Sequence, residues 1–290
     1  MERSICGGAS MITIDSHIDA LIEMAIAEDL AGGVDITSVA TIGVDQIGIA
    51  EYRLRESGVI AGIPIAVAVL HKLGITDIDI PVTCAHENSE GTVVLVARGS
   101  VRSLLLAERT TLNFLTHLSG IATLTRRWVD EVASTQCQVR DTRKTTPGWR
   151  VLEKYAVRMG GGVNHRMSLS DAALIKDNHI VAAGGVLKAF EMVRTKFPDA
   201  EVEVEVDTLD QLNEVLAGNP DLIMLDNMSV EQCREAVAIV AGRSRLEASG
   251  GLSLVNAKAY AQTGVDFLAV GALTHSAKAL DIGLDLRMES

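Results

Sequence analysis

The sequence predicts an α/β barrel preceded by a smaller α+β region. Two observations support this prediction. In the second half of the chain, six short apolar segments start about 20 to 35 residues apart with helical segments between them, which is the spacing of βα units in a parallel sheet. In the first half, an amphipathic helix and alternating strands precede this repeat. A doubly wound open sheet is the alternative for the second half.

The first half opens with a predicted helix from Ser16 to Glu28, where apolar residues recur at helical spacing and Ser16 is the expected N-cap. Strands are expected where apolar residues alternate with polar ones or form short runs. The elements predicted after the first helix are strands at Gly48–Glu56, Val59–Ile63 and Thr92–Ala97, a helix at Ile65–Lys72, and a long helix at Val101–Leu118.

The second half contains the repeated strands. They are Gln138–Asp141, Ala173–Lys176, Val202–Val206, Leu222–Leu225, Leu246–Ala248 and Asp266–Val270. A closed or nearly closed barrel accommodates at least six such units within roughly 160 residues. We therefore assign residues 1–115 to an N-terminal domain and residues 116–275 to a barrel domain.

The charge distribution points to the kind of ligand. The 290 residues include 26 Lys or Arg and 38 Asp or Glu, a net charge of −12. This balance argues against general affinity for nucleic acid or an anionic membrane, since both require a basic surface. Positive charge is nevertheless concentrated between Arg140 and His179, where eight Lys or Arg stand against four Asp or Glu. Such a patch indicates an anionic small ligand.

Apolar runs and cysteines favour a cytoplasmic protein. The longest apolar run, Gly58–Leu70, is interrupted by Pro64 and is shorter than the roughly 20 residues of a spanning helix. The N-terminus lacks the apolar core of a signal peptide. The cysteines show neither paired nor zinc-type spacing, which favours a reducing compartment; they are Cys6, Cys84, Cys137 and Cys233.

Polar side chains follow nearly every predicted barrel strand. In a barrel the C-terminal strand ends open onto one shared mouth, so these side chains are site candidates. Thr142, Arg143 and Lys144 follow the first strand, Lys176 ends the second, and Asp226 follows the fourth.

The third strand, within EVEVEVD, carries acidic residues on one face and valines on the other. If the valines face the helices, the carboxylates point into the barrel and must meet Lys, Arg or a metal ion. Glu205, nearest the C-terminal end, is the expected site residue. The alternative is an edge strand with a solvated acidic face.

Glycine loops follow the last two strands. Ser249, Gly250 and Gly251 form the first, and Gly271, Ala272 and Leu273 form the second, with His275 close behind. Loops after the seventh and eighth strands of such barrels commonly hold a phosphate. Either loop alone is also consistent with a simple turn.

Arg109 is unusual because its neighbours on the predicted long helix are leucines. Leu105, Leu106 and Leu112 surround its face, so we expect a desolvated guanidinium that requires an anion. A structural salt bridge or a side chain extended to the surface is the alternative.

A long segment, DTRKTTPGWRVLEKYAVRMGGGVNHRMSLSDAALIKDNH from Asp141 to His179, closely resembles the signature of quinolinate phosphoribosyltransferases. The resemblance extends from about Glu28 to the C-terminus, and only an extended N-terminus and Ala248 before the first glycine loop depart from it. The other similar segments are AERTTLNFLTHLSGIAT, VEVEVDTLDQ, LIMLDN, ASGGLSL and VDFLAVGALTHSAKALDIGLD.

The resemblance implies a reaction and a fold. Quinolinate and 5-phosphoribosyl 1-pyrophosphate would give nicotinate mononucleotide, pyrophosphate and carbon dioxide, with Mg²⁺, in de novo NAD biosynthesis. The implied fold is an incomplete barrel of about seven strands with an N-terminal α+β sandwich domain completed by residues 276–290. Family members are at least dimers, and the partner subunit lends an arginine, here Arg109.

The resemblance also implies residue roles. Catalytic roles fall to Lys144, Glu205 and Asp226, of which Glu205 and Asp226 would hold Mg²⁺ directly or through water. Quinolinate would be bound by Arg109, Thr142, Arg143, His165, Arg166 and Lys176. The phosphoribosyl donor would be bound by Lys144, Ser249, Gly250, Gly251, Gly271, Ala272, Leu273 and His275.

Three other functions are consistent with parts of the sequence. Lys176 at a barrel strand end could act as the nucleophile of a Schiff-base aldolase. A relative of the family associated with molybdenum transport operons shares the fold, although the intact RKTTPG, NHR and KDNH motifs favour the quinolinate enzyme. A non-enzymatic anion-binding protein would not need carboxylates facing the cations.

Overall fold

A computed structural model describes residues 12–82 and 85–289. The chain forms two compact units. The first contains residues up to Leu124, Thr146–Gly161 and the residues from Ser276 onward, and the second contains Thr125–Thr145 and Gly162–His275. The N-terminal extension, Cys6 and Cys84 lie outside the described residues.

These boundaries differ from the predicted domains, which placed residues 116–275 together. Residues Thr146–Gly161 instead group with the first unit. Side chains of this segment pack within that unit: Trp149 stacks on Phe114 with ring centroids 4.8 Å apart, the Tyr155 hydroxyl accepts from the backbone N–H of Gly62 at 3.4 Å, and Glu153 lies 2.9 Å from the ring of His117.

The first unit is an α+β domain around an antiparallel sheet. Its elements are α1 (Ser16–Leu30), α2 (Ile36–Thr41), β1 (Ile47–Leu54), β2 (Gly58–Val59), α3 (Ile63–Lys72), β3 (Asp77–Asp79), β4 (Glu87–Asn88), β5 (Val93–Ser100), α4 (Val101–Val132), α5 (Arg150–Met159) and β12 (Ile282–Met288). The sheet order is β12-β1-β5-β3, and β2 pairs with β4. The C-terminal strand therefore completes the sheet by pairing along β1.

Most predicted elements of this unit are confirmed, with three differences. The N-cap of α1 is Asp15, whose carboxylate accepts from the Ile18 N–H, and not Ser16. The predicted strand at Val59–Ile63 is wrong beyond Val59, because α3 begins at Ile63 with Pro64 in its first turn. Helix α4 continues past Leu118 to Val132.

The second unit alternates strands with helices. Its elements are β6 (Gln138–Arg140), β7 (Ala173–Ile175), α6 (Asp177–Ala183), α7 (Val186–Lys196), β8 (Val202–Val206), α8 (Leu209–Leu216), β9 (Leu222–Asp226), α9 (Val230–Val240), β10 (Arg245–Ser249), α10 (Leu254–Ala261), β11 (Phe267–Ala269) and α11 (Ala272–His275). All six predicted strands are confirmed.

The strand order, β6-β11-β10-β9-β8-β7, is that of an incomplete barrel. All pairs are parallel, and the first strand lies beside the last, which excludes the doubly wound alternative with its reversal of order. Val163 adds one parallel bridge on the other side of β6. Within the described residues no pairing joins this segment to β7, so the barrel stays open there.

Strand β8 is buried along its whole length, so both of its faces are covered. The alternative of an edge strand with a solvated acidic face is therefore wrong. No helix in the described part of the chain is long and apolar enough to cross a membrane.

Gly120 provides a test of packing in the first unit. It lies inside α4, where alanine normally stabilises a helix relative to glycine. A Cβ at this position would lie 2.2 Å from the carbonyl oxygen of Lys278. We expect Gly120→Ala to lower the free energy of unfolding by about 2 kcal/mol, because rigid backbone blocks the added methyl.

Urea denaturation measures this change, with Gly43→Ala as the control. A Cβ at Gly43 would make only ordinary contacts with Gln46, the nearest at 3.5 Å. A stabilising Gly120→Ala would contradict the packing described.

Candidate active site

A cavity of about 420 Å³ lies at the C-terminal ends of the barrel strands. It belongs to the second unit alone. Nine of the predicted site residues line it: Thr142, Arg143, Lys144, His165, Arg166, Lys176, Glu205, Asp226 and Ser249.

Two guanidinium groups at this cavity have no carboxylate partner within the described residues. The Nε–H groups of Arg143 and Arg166 are buried and donate to no hydrogen-bond acceptor in the described structure. Arg166 does donate from Nη1 to the carbonyl oxygen of Ala172 at 2.7 Å. Burial and then the charge of Arg143 lower the pKa of Arg166, so the two cations are close. An arrangement of this kind requires an anion from outside the chain.

A lysine and two carboxylates form the other side of the cavity. Lys176 Nζ donates to Glu205 Oε2, and Asn227 Nδ2 donates to Asp226 Oδ2 at 2.6 Å. The Lys176 side chain is 45% exposed and paired with an acid. A Schiff-base lysine is instead desolvated in an apolar pocket or placed beside another cation, so this environment disfavours the aldolase alternative.

The acidic face of β8 points inward only in part. Glu203 and Glu205 are buried and meet His165 and Lys176, as the sequence analysis predicted for inward carboxylates. Glu201 and Asp207, beyond the strand ends, are exposed, and Glu201 pairs with Arg245 at the surface.

A buried acid cluster at the wall of the cavity, to which Glu247 contributes, was not predicted from the sequence. His165 Nε2 lies 2.7 Å from Glu203 Oε2 and 3.7 Å from Glu247 Oε1, and Arg140 Nη1 donates to Glu247 Oε2 at 2.8 Å. The alternation of β8 signalled Glu203. For Glu247 the available signal was its place two residues before Ser249, on the same face of β10.

Asp141 holds the loop that carries His165 and Arg166. It is fully buried at the end of β6. Its carboxylate accepts from the His165 backbone N–H at 2.9 Å and from the side-chain amide of Asn164. The first strand end and the NHR motif are therefore fixed together.

The two glycine loops follow neighbouring strands, because β10 pairs with β11 up to Ser249 and Ala269. Gly250 has φ +83°, and a Cβ there would lie 2.1 Å from Oδ1 of Asn227. Glycine is therefore required where this loop passes the residue that holds Asp226.

The second loop meets the lysine of the first strand end. A Cβ at Gly271 would lie 3.1 Å from Lys144 Cδ and 3.2 Å from His275 Nε2. Of the remaining predicted phosphate residues, Gly251 and His275 are exposed, Ala272 is half-buried and Leu273 is buried. Leu273 can therefore contribute its backbone but not its side chain.

Arg109 lies on α4 in the first unit and is exposed. It is not among the side chains that line the cavity. The expected desolvation by its leucine neighbours is wrong within a single chain, because Arg109 is exposed and Leu105 and Leu106 are themselves only half-buried.

The fold and the cavity together define a barrel enzyme for anionic substrates. Comparison with protein families identifies the kind of enzyme. The family model of the quinolinate phosphoribosyl transferase C-terminal domain matches residues 121–285, and the family model of the N-terminal domain matches residues 35–119. The chain belongs to the quinolinate phosphoribosyl transferase family.

Individual members of the family are similar to this chain over nearly its whole length. A carboxylating nicotinate-nucleotide pyrophosphorylase of Mycobacterium leprae is 51% identical, covering 94% of this chain and 99% of the relative. A probable carboxylating nicotinate-nucleotide pyrophosphorylase of Bacillus subtilis is 39% identical, covering 94% and 95%. The crystal structure of NadC from Streptococcus pyogenes superposes with a TM-score of 0.92 at 40% identity, covering 97% and 99%.

The buried acid cluster makes stability depend on pH. Burial and then the charge of Glu203 raise the pKa of Glu247 from 4.5 to about 8. The native protein therefore binds this proton more tightly than the unfolded chain does, and the resulting stabilisation, complete below pH 4.5, is lost as the pH rises towards 8.

In the Glu247→Gln variant the side chain at this position cannot ionise, so the contribution of Glu247 to the pH dependence of stability is lost. We expect the Tm of the wild type minus that of the variant to fall between about pH 5 and pH 8. Thermal unfolding at both pH values measures the difference. A difference that stays constant or grows with pH would contradict the assigned burial effect.

Proposed function

We propose that this chain transfers the 5-phosphoribosyl group of 5-phosphoribosyl 1-pyrophosphate to quinolinate. The products are nicotinate mononucleotide, pyrophosphate and carbon dioxide, a step of de novo NAD biosynthesis. The observation that carries the proposal is the pair Arg143 and Arg166, two neighbouring guanidinium groups with buried, unpartnered Nε atoms at one cavity.

Quinolinate matches this pair because it carries two adjacent carboxylates on a flat ring. A guanidinium group binds a carboxylate through two parallel hydrogen bonds, so two of them suit a dicarboxylate. Lys176 adds a third cation at the same cavity, and we assign to Thr142, which also lines it, the role of orienting the ring.

The phosphoribosyl donor fits the glycine loops. We assign its 5-phosphate to the backbone of Ser249–Gly251 and Gly271–Leu273, where no side chain obstructs the approach to Gly251. We assign the pyrophosphate to Lys144, which lines the cavity and lies next to the second loop, with His275 beside the same loop.

Mg²⁺ is compatible with the carboxylates present. Glu205 and Asp226 both line the cavity and offer oxygen atoms, the ligands that Mg²⁺ takes together with substrate phosphates. When bound, the ion would neutralise negative charge on the pyrophosphate leaving group. We infer that Glu205 and Asp226 hold it directly or through water.

The chemistry then follows from positioning and electrostatics. As the bond from the anomeric carbon to pyrophosphate breaks, positive charge develops on the ribose, which Glu205 or Asp226 can stabilise. The ring nitrogen of quinolinate supplies the electron pair of the new bond. With that nitrogen positively charged, the 2-carboxylate leaves as carbon dioxide, and its bonding electrons remain on a carbon that then takes up a proton.

A dimer would complete the cavity. Arg109 is exposed in the single chain and has no ion pair within the described residues. We infer that Arg109 of the partner subunit enters the quinolinate site and loses its water there.

A cytoplasmic location also belongs to the proposal. Cys137 and Cys233 are buried thiols outside any disulfide, and burial raises the pKa of Cys137 to about 12. Both behave as small apolar residues rather than as reactive groups.

Release of carbon dioxide tests the reaction. We expect release from the 2-carboxylate of quinolinate that depends on 5-phosphoribosyl 1-pyrophosphate, and no release with nicotinate, which lacks that carboxylate. Arg143→Ala should raise the KM for quinolinate at least about a hundredfold by removing a bidentate partner. Release without the phosphoribosyl donor, or no release at all, would refute the proposed function.

Mixed dimers test the shared site. At a quinolinate concentration near the wild-type KM, Arg109→Ala and Arg143→Ala should each show almost no activity alone. In a mixed dimer, the subunit carrying Arg109→Ala retains Arg143 and receives Arg109 from its partner, so an equal mixture should recover up to about one quarter of wild-type activity. No recovery after confirmed subunit exchange would mean that Arg109 serves its own chain.

A further inference from the structure

The hydrogen bonds of His165 define which of its ring nitrogens carries a proton. The backbone N–H of Arg166 donates to Nδ1 at 2.8 Å. A ring nitrogen that accepts a hydrogen bond carries no proton, so the proton of a neutral ring is on Nε2. Nε2 then donates to Oε2 of Glu203 at 2.7 Å. Both ring nitrogens are therefore engaged within the protein.

The groups around His165 hold it in this state. Glu203 on β8 accepts from Nε2, and Glu247 on β10 approaches the same nitrogen to 3.7 Å. Arg140 on β6 donates to Glu247 and lies 4.4 Å from the centre of the Phe267 ring. Three strands thus contribute to a buried network around one imidazole.

The same three side chains could in principle hold a metal ion, since one ligand atom from each of His165, Glu203 and Glu247 lies within 4.8 Å of the others. A metal would need a lone pair on Nε2. The hydrogen bond to Nδ1 places the proton of the neutral ring on Nε2, which leaves no such pair. The arrangement is that of a hydrogen-bonded network.

We propose that His165 is a neutral positioning residue for Arg166, held by Glu203, Glu247 and Arg140, and not a cationic ligand of a quinolinate carboxylate. The identity of the ligand rests on the proposed function. The role differs from the one that the family resemblance implied, in which His165 binds quinolinate directly.

The consequence for Arg166 is a fixed direction. Its backbone N–H is held by His165 and its Nη1 by the carbonyl oxygen of Ala172. Two anchors therefore orient the guanidinium, while its Nε stays without a partner within the described residues. The carboxylate charge of the substrate is then met by Arg143, Arg166, Lys176 and the partner's Arg109.

The protonation state can be observed directly by ¹⁵N NMR of imidazole-labelled protein, with the His165 signals assigned by their absence from His165→Gln. At neutral pH we expect one proton-bearing nitrogen and one bare nitrogen on His165, both in the free enzyme and with saturating quinolinate. Two proton-bearing nitrogens in either state would overturn the proposal.

Kinetics provide a second, independent readout. Glutamine at position 165 keeps a neutral donor towards Glu203, whereas leucine keeps none. We expect His165→Gln to raise the KM for quinolinate less than about tenfold, and His165→Leu to raise it at least ten times more. The KM for the phosphoribosyl donor should change little in both variants. Equal losses in the two variants would contradict the positioning role.

The network itself is tested on β8. Glu203→Gln keeps an acceptor for Nε2–H and should preserve the single tautomer, whereas Glu203→Leu should lose it and raise the KM for quinolinate. Glu201→Leu, an exposed position next to the same strand, and His71→Gln, an exposed histidine of α3, are the controls and should leave both readouts unchanged. A single tautomer in Glu203→Leu would show that Glu203 does not hold the ring.

These results are separable from the proposed function. If the wild type released no carbon dioxide from quinolinate, the proposed reaction would fail while the NMR signature of His165 would still stand or fall by itself.

Discussion

The cavity of the barrel depends on an imbalance of charge that the chain does not correct by itself. Arg143 and Arg166 lie close together, with their Nε atoms buried and without an acidic partner in the described structure. Positive charge of this kind is costly until a ligand neutralises it. Binding of a dianion relieves that cost, so affinity for the substrate is built into the unliganded site.

A second group of side chains in the barrel has the opposite imbalance, an excess of buried acids. Glu203 and Glu247 are buried within reach of one histidine and one arginine, and burial raises the pKa of both carboxyl groups. The raised pKa of both carboxyl groups and the guanidinium of Arg140 lower the negative charge of this cluster near an anionic substrate. The cavity thus presents Arg143, Arg166 and Lys176 to the ligand, while Glu203 and Glu247 are held by His165 and Arg140.

The sequence predicted the barrel well because each βα unit carries its own local pattern. All six strands of the second unit, and the gathering of Arg143, Lys176, Glu205 and Asp226 at one cavity, follow from strand periodicity and the geometry of parallel strand ends. What could not be predicted depends on contacts between distant segments. The grouping of Thr146–Gly161 with the first unit depends on Tyr155 and Glu153 meeting residues far away in sequence.

The exposure and the partners of individual side chains could not be predicted from the sequence either. Leucine neighbours suggested that Arg109 would be desolvated, yet a long flexible stem lets its charged end reach solvent. Glu247 gave only one signal, its place two residues before Ser249, and its ion pair with Arg140 joins residues that are far apart in the sequence.

The pairing of β12 with β1 has a consequence for biosynthesis. The ribosome delivers β1 early, but its partner at Ile282–Met288 emerges only after every barrel strand has been made. During that interval one long side of β1 has unpaired N–H and C=O groups, the kind of edge that invites pairing with other chains. The N-terminal sheet is therefore completed late. A nascent chain that stalls before β12 has been synthesised would be prone to aggregate.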